Sequence, residues 1–191
     1  QANPALRRAE LMTRAGGFQE VAKAAGHVAL FFTLTCPSAF HRMHSNGQQN
    51  ERWEGFTPRD GQRWLSKMWA RARTKLQRLS VLFYGIRVAD PHHDGTPHWH
   101  AFLFVPAHHE GAIRAVIRGT WLSEYGDEPG ADQVRTKCKA DDPARGSACG
   151  YIAKYIAKNI DGFQVGEDYE SGDKKAEETC HRVGAWASAH G

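Results

Sequence analysis

Residues 81–105 read VLFYGIRVADPHHDGTPHWHAFLFV, and the way this stretch folds back on itself decides the fold. Two apolar runs, 81–90 and 98–105, flank a loop rich in Pro, Asp and Gly, so they are expected to pair as an antiparallel hairpin. Strand side chains alternate, so His98 and His100 leave one face while Trp99 leaves the other. The first run ends at Asp90, which has the parity of Val88, Ile86 and Tyr84. With Asp90 across the hairpin from His98, its carboxylate falls on the histidine face, because opposed residues share a face.

Working outward, residues 57–79 open with Thr57, Pro58 and Asp60, an N-cap, a first-turn proline and an acidic third position, which predicts a long helix. Residues 28–35, VALFFTLT, are β-branched and aromatic between Gly26 and Pro37, which predicts a buried central strand. Residues 6–25 carry helix formers with Arg7, Arg8, Arg14 and Lys23, a basic helix ending near Gly26. Residues 38–56 are polar and predict a long loop. On the other side, residues 110–124 predict a helix, 132–139 a short strand, and 147–159, SACGYIAKYIAKN, a helix stopping before Asp161 and Gly162. The order implies an α+β fold, helices packed on the faces of an antiparallel sheet. Residues 1–26 are expected to pack as a basic helical segment on a domain formed by 27–191.

Across 191 residues, 41% hydrophobic content suffices for one sizeable core, and neither disorder nor a coiled coil is indicated. The apolar runs are too short to cross a bilayer, so a soluble, intracellular protein is expected. Cys36, Cys138, Cys149 and Cys180 lack CxxC spacing, which argues against a zinc knuckle or a disulfide framework. The chain starts at Gln1 and is expected to be a piece of a longer protein. A net charge of +4 leans toward an anionic partner without establishing one.

Two imidazoles and one carboxylate leave coordination positions open, as a catalytic metal requires. The plainer alternative is a strand with two polar positions facing solvent. His92, His93 and Asp94 beside the pair weigh against that, and His92 and Asp94 rival Asp90 as third ligand. Imidazole suits zinc, iron and manganese, while carboxylate and water suit magnesium and manganese. Tyr151 and Tyr155 sit one turn apart on one helix face, as do Lys154 and Lys158. They could be packing aromatics, but Ile152, Ile156 and Ile160 already supply an apolar surface. A phenol titrates near ~10, so a nucleophilic tyrosine needs a nearby cation, base or metal-polarised electrophile.

The segments FFTLTCPS (31–38), DPHHDGTPHWH (90–100) and GYIAKYIAKNIDG (150–162) resemble, in this order, the motifs of the HUH endonuclease superfamily, and most of all the bacteriophage replication gene A proteins. The resemblance implies a sheet of about five antiparallel strands with the tyrosine helix lying over it. It implies site-specific nicking of single-stranded origin DNA, giving a 5′-phosphotyrosine and a free 3′ hydroxyl that start rolling-circle replication. His98 and His100 match the family's histidines, Tyr151 and Tyr155 its nucleophiles, and Lys154 the lysine between them. Where the family often has glutamate before the loop proline, this chain has Asp90, one methylene shorter. A divalent ion, Mg2+ or Mn2+, is the expected cofactor, origin DNA and a host replicative helicase the expected partners, and the bacterial cytoplasm the expected location. Rival readings are a relaxase or tyrosine transposase of the same superfamily, a non-catalytic origin-binding module, and an oxygenase-type iron site. Arg59, Arg63, Lys67, Arg71 and Lys75 recur every fourth residue as a basic stripe, read as a DNA-binding surface or as a solvated helix face. Trp53, Phe56 and Trp64 are candidate stacking platforms for unpaired bases.

Overall fold

The computed structural model of this chain describes residues 3–140. Helix α1 (Pro4–Ala25) starts where the Asn3 side chain accepts the Ala5 amide at 3.0 Å and stops at Gly26, whose φ of 64° is left-handed. Strand β1 (His27–Thr35) follows, and the long polar connection after it holds a short 3-10 turn, Ser38–Phe40. Helix α2 (Pro58–Arg78) begins with the expected capping box, Thr57 and Asp60 satisfying each other's backbone amides.

Strands β2 (Tyr84–Pro91) and β3 (Pro97–Pro106) form the expected antiparallel hairpin. β2 begins three residues later than the apolar run because 81–83 serve the exit from α2. There Ser80 takes a φ of 54° and the Val81 amide returns to the Leu76 carbonyl at 2.9 Å. Helix α3 (Glu110–Trp121) is followed by a one-turn helix α4 (Ala131–Val134) and strand β4 (Thr136–Ala140). Of the strand expected over 132–139, residues 132–134 are therefore helix and only 136–139 are strand. Gly130, at a φ of 77°, launches a turn whose Gln133 and Val134 amides both bond its carbonyl, which uses up residues that lack strand alternation.

Among the described residues the sheet has four antiparallel strands in the order β2-β3-β1-β4. A five-stranded sheet was expected, and the helix expected over 147–159 lies outside the described residues. Alternation along the strands sends two apolar sets to opposite faces. Leu30, Phe32 and Leu34 of β1 with Trp99, Ala101, Leu103 and Val105 of β3 pack under α2 and α3, against Leu65, Met68, Ile113, Ile117 and Trp121. Burying each large side chain there contributes roughly 1.5–3 kcal/mol. On the other face Phe31, Phe102 and Phe104 receive α1 through Ala15, Ala22 and Phe18. That helix covers only the half of the face carrying these phenylalanines. No helix among the described residues is long and apolar enough to cross a membrane.

Candidate metal centre and cleft

The histidines lie on the other half of the second face, which no helix among the described residues covers. The β2–β3 register places Asp90 opposite His98 and Val88 opposite His100, so the carboxylate and both imidazoles leave the same face. Their ligand atoms all lie within 4.8 Å of one another, and the three residues are 0%, 7% and 3% exposed. The Nε2 atoms of His98 and His100 stand 2.8 Å apart. Two imidazoles about 2.0–2.1 Å from one ion and at about a right angle have nearly that separation. A buried carboxylate with two nitrogen donors thus fits a divalent cation by donor type and by spacing.

The neighbouring strand orients one of these rings. Thr33 of β1 lies opposite His100, and its Oγ1 stands 3.4 Å from His100 Nδ1, while the Phe31 ring stacks on the imidazole at a centroid distance of 5.4 Å. A ring whose Nδ1 proton is given to a neighbour keeps its Nε2 lone pair for a metal.

Asp94, one rival for third ligand, is engaged elsewhere. Its carboxylate accepts the Thr96 amide at 3.0 Å and the Met43 amide at 3.5 Å, and pairs with His41 Nδ1 at 3.3 Å. Burial alone would push this carboxyl up, but His41 and Thr96 outweigh it and hold the group well below the usual carboxylate range. Asp94 therefore latches the hairpin turn to the loop after β1. His92, the other rival, packs against His98 with ring centroids 4.2 Å apart and the planes tilted by 41°. Asn50, 3% exposed, stiffens the same loop by donating to the carbonyls of Ser38 and His41 at 2.8 and 2.7 Å. Loop, hairpin turn and β4 border an open cleft of about 1200 Å³ with His98, His100 and Thr33 in its lining.

The basic stripe runs along α2 from Arg59 to Lys75. α2 packs on the Trp99 face, so its exposed side lies across the sheet from the histidines. Steps of four residues advance about 40° around a helix, so the stripe rotates from solvent into the α2–α3 seam. Lys67 and Arg71 both meet Glu124, at 2.8 and 2.6 Å, and Lys75 donates to Thr120 at 3.2 Å. The Lys67 bond is the main cause, with Arg71 and the Trp64 indole adding to it and partial burial opposing, that the Glu124 carboxyl is lowered to about 2. Of the stacking candidates, Trp64 is buried, Phe56 stacks on Phe40 at 4.2 Å, and the Trp53 indole donates to the Phe56 carbonyl. Tyr151, Lys154, Tyr155 and Lys158 lie outside the described residues.

A profile of the bacteriophage replication gene A protein (GPA) family matches residues 1–163. This chain belongs to that family. Among its gene A relatives, the replication gene A protein of Escherichia phage 186 is 44% identical over 98% of this chain and 28% of its own length. The replication protein of Haemophilus phage HP1 is 45% identical over 99% of this chain and 24% of its own. A probable replication endonuclease from a prophage-like region of Salmonella paratyphi A is 38% identical, with 98% and 24% covered. The chain thus spans about a quarter of the length of these relatives. No solved structure matches it.

Sequence reading missed Thr33, Phe31 and the His41–Asp94 latch. The threonines were visible as polar interruptions at period two, Thr33 and Thr35, in an otherwise apolar strand. The latch joins residues 53 positions apart and left no local pattern.

Proposed function

We propose that this chain is the DNA-nicking part of a phage replication initiator, an HUH-type endonuclease that cuts single-stranded origin DNA through a tyrosine. One observation carries the reading: Asp90, His98 and His100 converge on one buried point at the edge of an open cleft. Family membership and the name of the Salmonella relative support it.

In this reading His98, His100 and Asp90 hold a divalent ion, Mg2+ or Mn2+. When bound, such an ion supplies positive charge to the non-bridging oxygens of the scissile phosphate. Tyr151 or Tyr155 attacks phosphorus with its phenolic oxygen, forming the phosphotyrosyl bond as the bond to the 3′ oxygen breaks. The phenolic proton passes to solvent or a nearby base, and the departing oxygen takes up a proton to become the 3′ hydroxyl. Lys154 and Lys158 ease loss of the phenolic proton by their charge. The covalent ester conserves the bond for rejoining, and the second tyrosine allows strand transfer that ends the round. A host helicase then unwinds from the nick.

The test is a denaturing gel of the protein incubated with a single-stranded origin oligonucleotide and Mg2+ or Mn2+. A covalent adduct is expected, absent from the Tyr151→Phe/Tyr155→Phe double variant and from His98→Ala. An adduct that survives the double variant overturns the tyrosine mechanism. Binding without an adduct, indifferent to loss of His98, would instead identify an origin-binding module.

A further inference from the structure

The proposed reading leaves open which residues carry the DNA backbone past the metal-ligand cluster. α2 is poorly placed, since its basic stripe lies across the sheet and Lys67, Arg71 and Lys75 are engaged by Glu124 and Thr120. The sheet register offers another surface. His100 of β3 lies opposite Thr33 of β1, and Thr33 lies opposite Lys137 of β4. Opposed residues share a face, so His100, Thr33 and Lys137 form one transverse row on the histidine face. The next row repeats the pattern with Phe102, Phe31 and Lys139. Cys138, between the two lysines, packs into the core on the other face, as this parity requires.

We propose that Lys137 grips a backbone phosphate of the single DNA strand occupying the cleft, beside the phosphate presented to His98 and His100. The inference rests on the nicking function proposed above. Strands are about 4.8 Å apart, so two strand steps put the Lys137 backbone about 10 Å from that of His100. Lys137 is exposed and lines the same cleft as both histidines. Arg52 lines it as well, and of the acidic lining among the described residues Glu128 is committed to Arg135 at 2.6 Å and to the Ser38 amide, leaving Glu51. A flexible ammonium is a point charge that follows a phosphate without reading a base, as a strand sliding toward a nick site needs.

The experiment follows binding of a fluorescent single-stranded oligonucleotide by anisotropy over a series of salt concentrations, without divalent ions. Four proteins are compared: the parent, Lys137→Gln, Lys137→Arg and the Arg59→Gln/Arg63→Gln double variant. Loss of one phosphate contact should reduce the slope of log affinity against log salt by about 0.7 in Lys137→Gln. Lys137→Arg should keep the parental slope, and so should the α2 double variant. An unchanged slope in Lys137→Gln, a slope lost equally in Lys137→Arg, or one lost in the α2 variant overturns the assignment. The covalent-adduct assay run in parallel separates the two ideas. A parent that binds but forms no adduct defeats the nicking function, whereas an intact adduct with an unchanged Lys137→Gln slope defeats only the grip.

Discussion

Asp90 lies directly across the β2–β3 ladder from His98, and its carboxylate is within 4.8 Å of the ligand atoms of both His98 and His100 while wholly shielded from solvent. Desolvating a carboxylate costs several kcal/mol, roughly, unless positive charge stands close by. A cation bound at this point would offset that cost and gain from the low local dielectric.

Asp90→Asn keeps the shape of the side chain and removes its charge. Affinity for Mn2+, measured by calorimetry, should fall by more than about 100-fold, beyond the loss usual for residues that only support a ligand. Mn2+ should also raise the thermal midpoint of the parent and leave that of Asp90→Asn unmoved, because a ligand stabilises only the state that binds it. Equal midpoint shifts in the two proteins would remove Asp90 from the ligand set.

Thr33→Val takes away the hydroxyl facing His100 Nδ1 and little volume. The expected result is a loss of Mn2+ affinity of about tenfold with the thermal midpoint of the metal-free protein within a few degrees of the parent. Thr33→Ser should restore the affinity. If valine binds Mn2+ as tightly as threonine does, the ring is oriented by Phe31 stacking alone.

How much of this was legible beforehand follows from the range of each interaction. The hairpin, its register and the grouping of Asp90 with His98 and His100 follow from period-two alternation across a short loop, which sequence displays directly. The capping box at Thr57 is equally local. The side of the sheet that α2 covers is not local. A periodic row such as Arg59 to Lys75 looks the same whether it faces solvent or turns into a seam, and Glu124, the partner of Arg71, lies 53 residues beyond it. Likewise Lys137 acquires its place beside the cleft only through pairing of β4 with β1, a contact between segments a hundred residues apart.

Glu124 ties the α3 exit to α2 through Lys67, Arg71 and the Trp64 indole, which donates at 2.9 Å. Glu124→Gln should lower the urea-unfolding stability at neutral pH by about 1 kcal/mol, since each pair is partly exposed. The sign of the pH effect follows from a folded-state value lowered to about 2 against 4.5 for the free group. Its contribution is complete above about 4.5 and disappears as pH falls toward about 2. The difference between parent and variant should accordingly be constant from pH 7 to 5 and shrink below pH 4. A difference that grows on acidification would contradict these bonds.

Gly85 ties β2 to the site. Its φ of 153° lies where side chains are strained, and an added Cβ would come within 1.9 Å of the Phe102 carbonyl oxygen, a backbone atom that cannot swing aside. Gly85→Ala must therefore push β2 away from β3 at the Gly85–Leu103 pair, five residues before Asp90 on the same strand. A destabilisation of about 2–4 kcal/mol is expected. Where the protein still folds, Mn2+ affinity should drop as well, because Asp90 rides on the displaced strand. Gly111 of α3 supplies the control: nothing stands within 4 Å of a Cβ there, so Gly111→Ala should leave Mn2+ binding alone and stabilise the helix by up to about 1 kcal/mol. A Gly85→Ala protein with parental stability and parental Mn2+ affinity would mean that the β2–β3 ladder does not position the carboxylate.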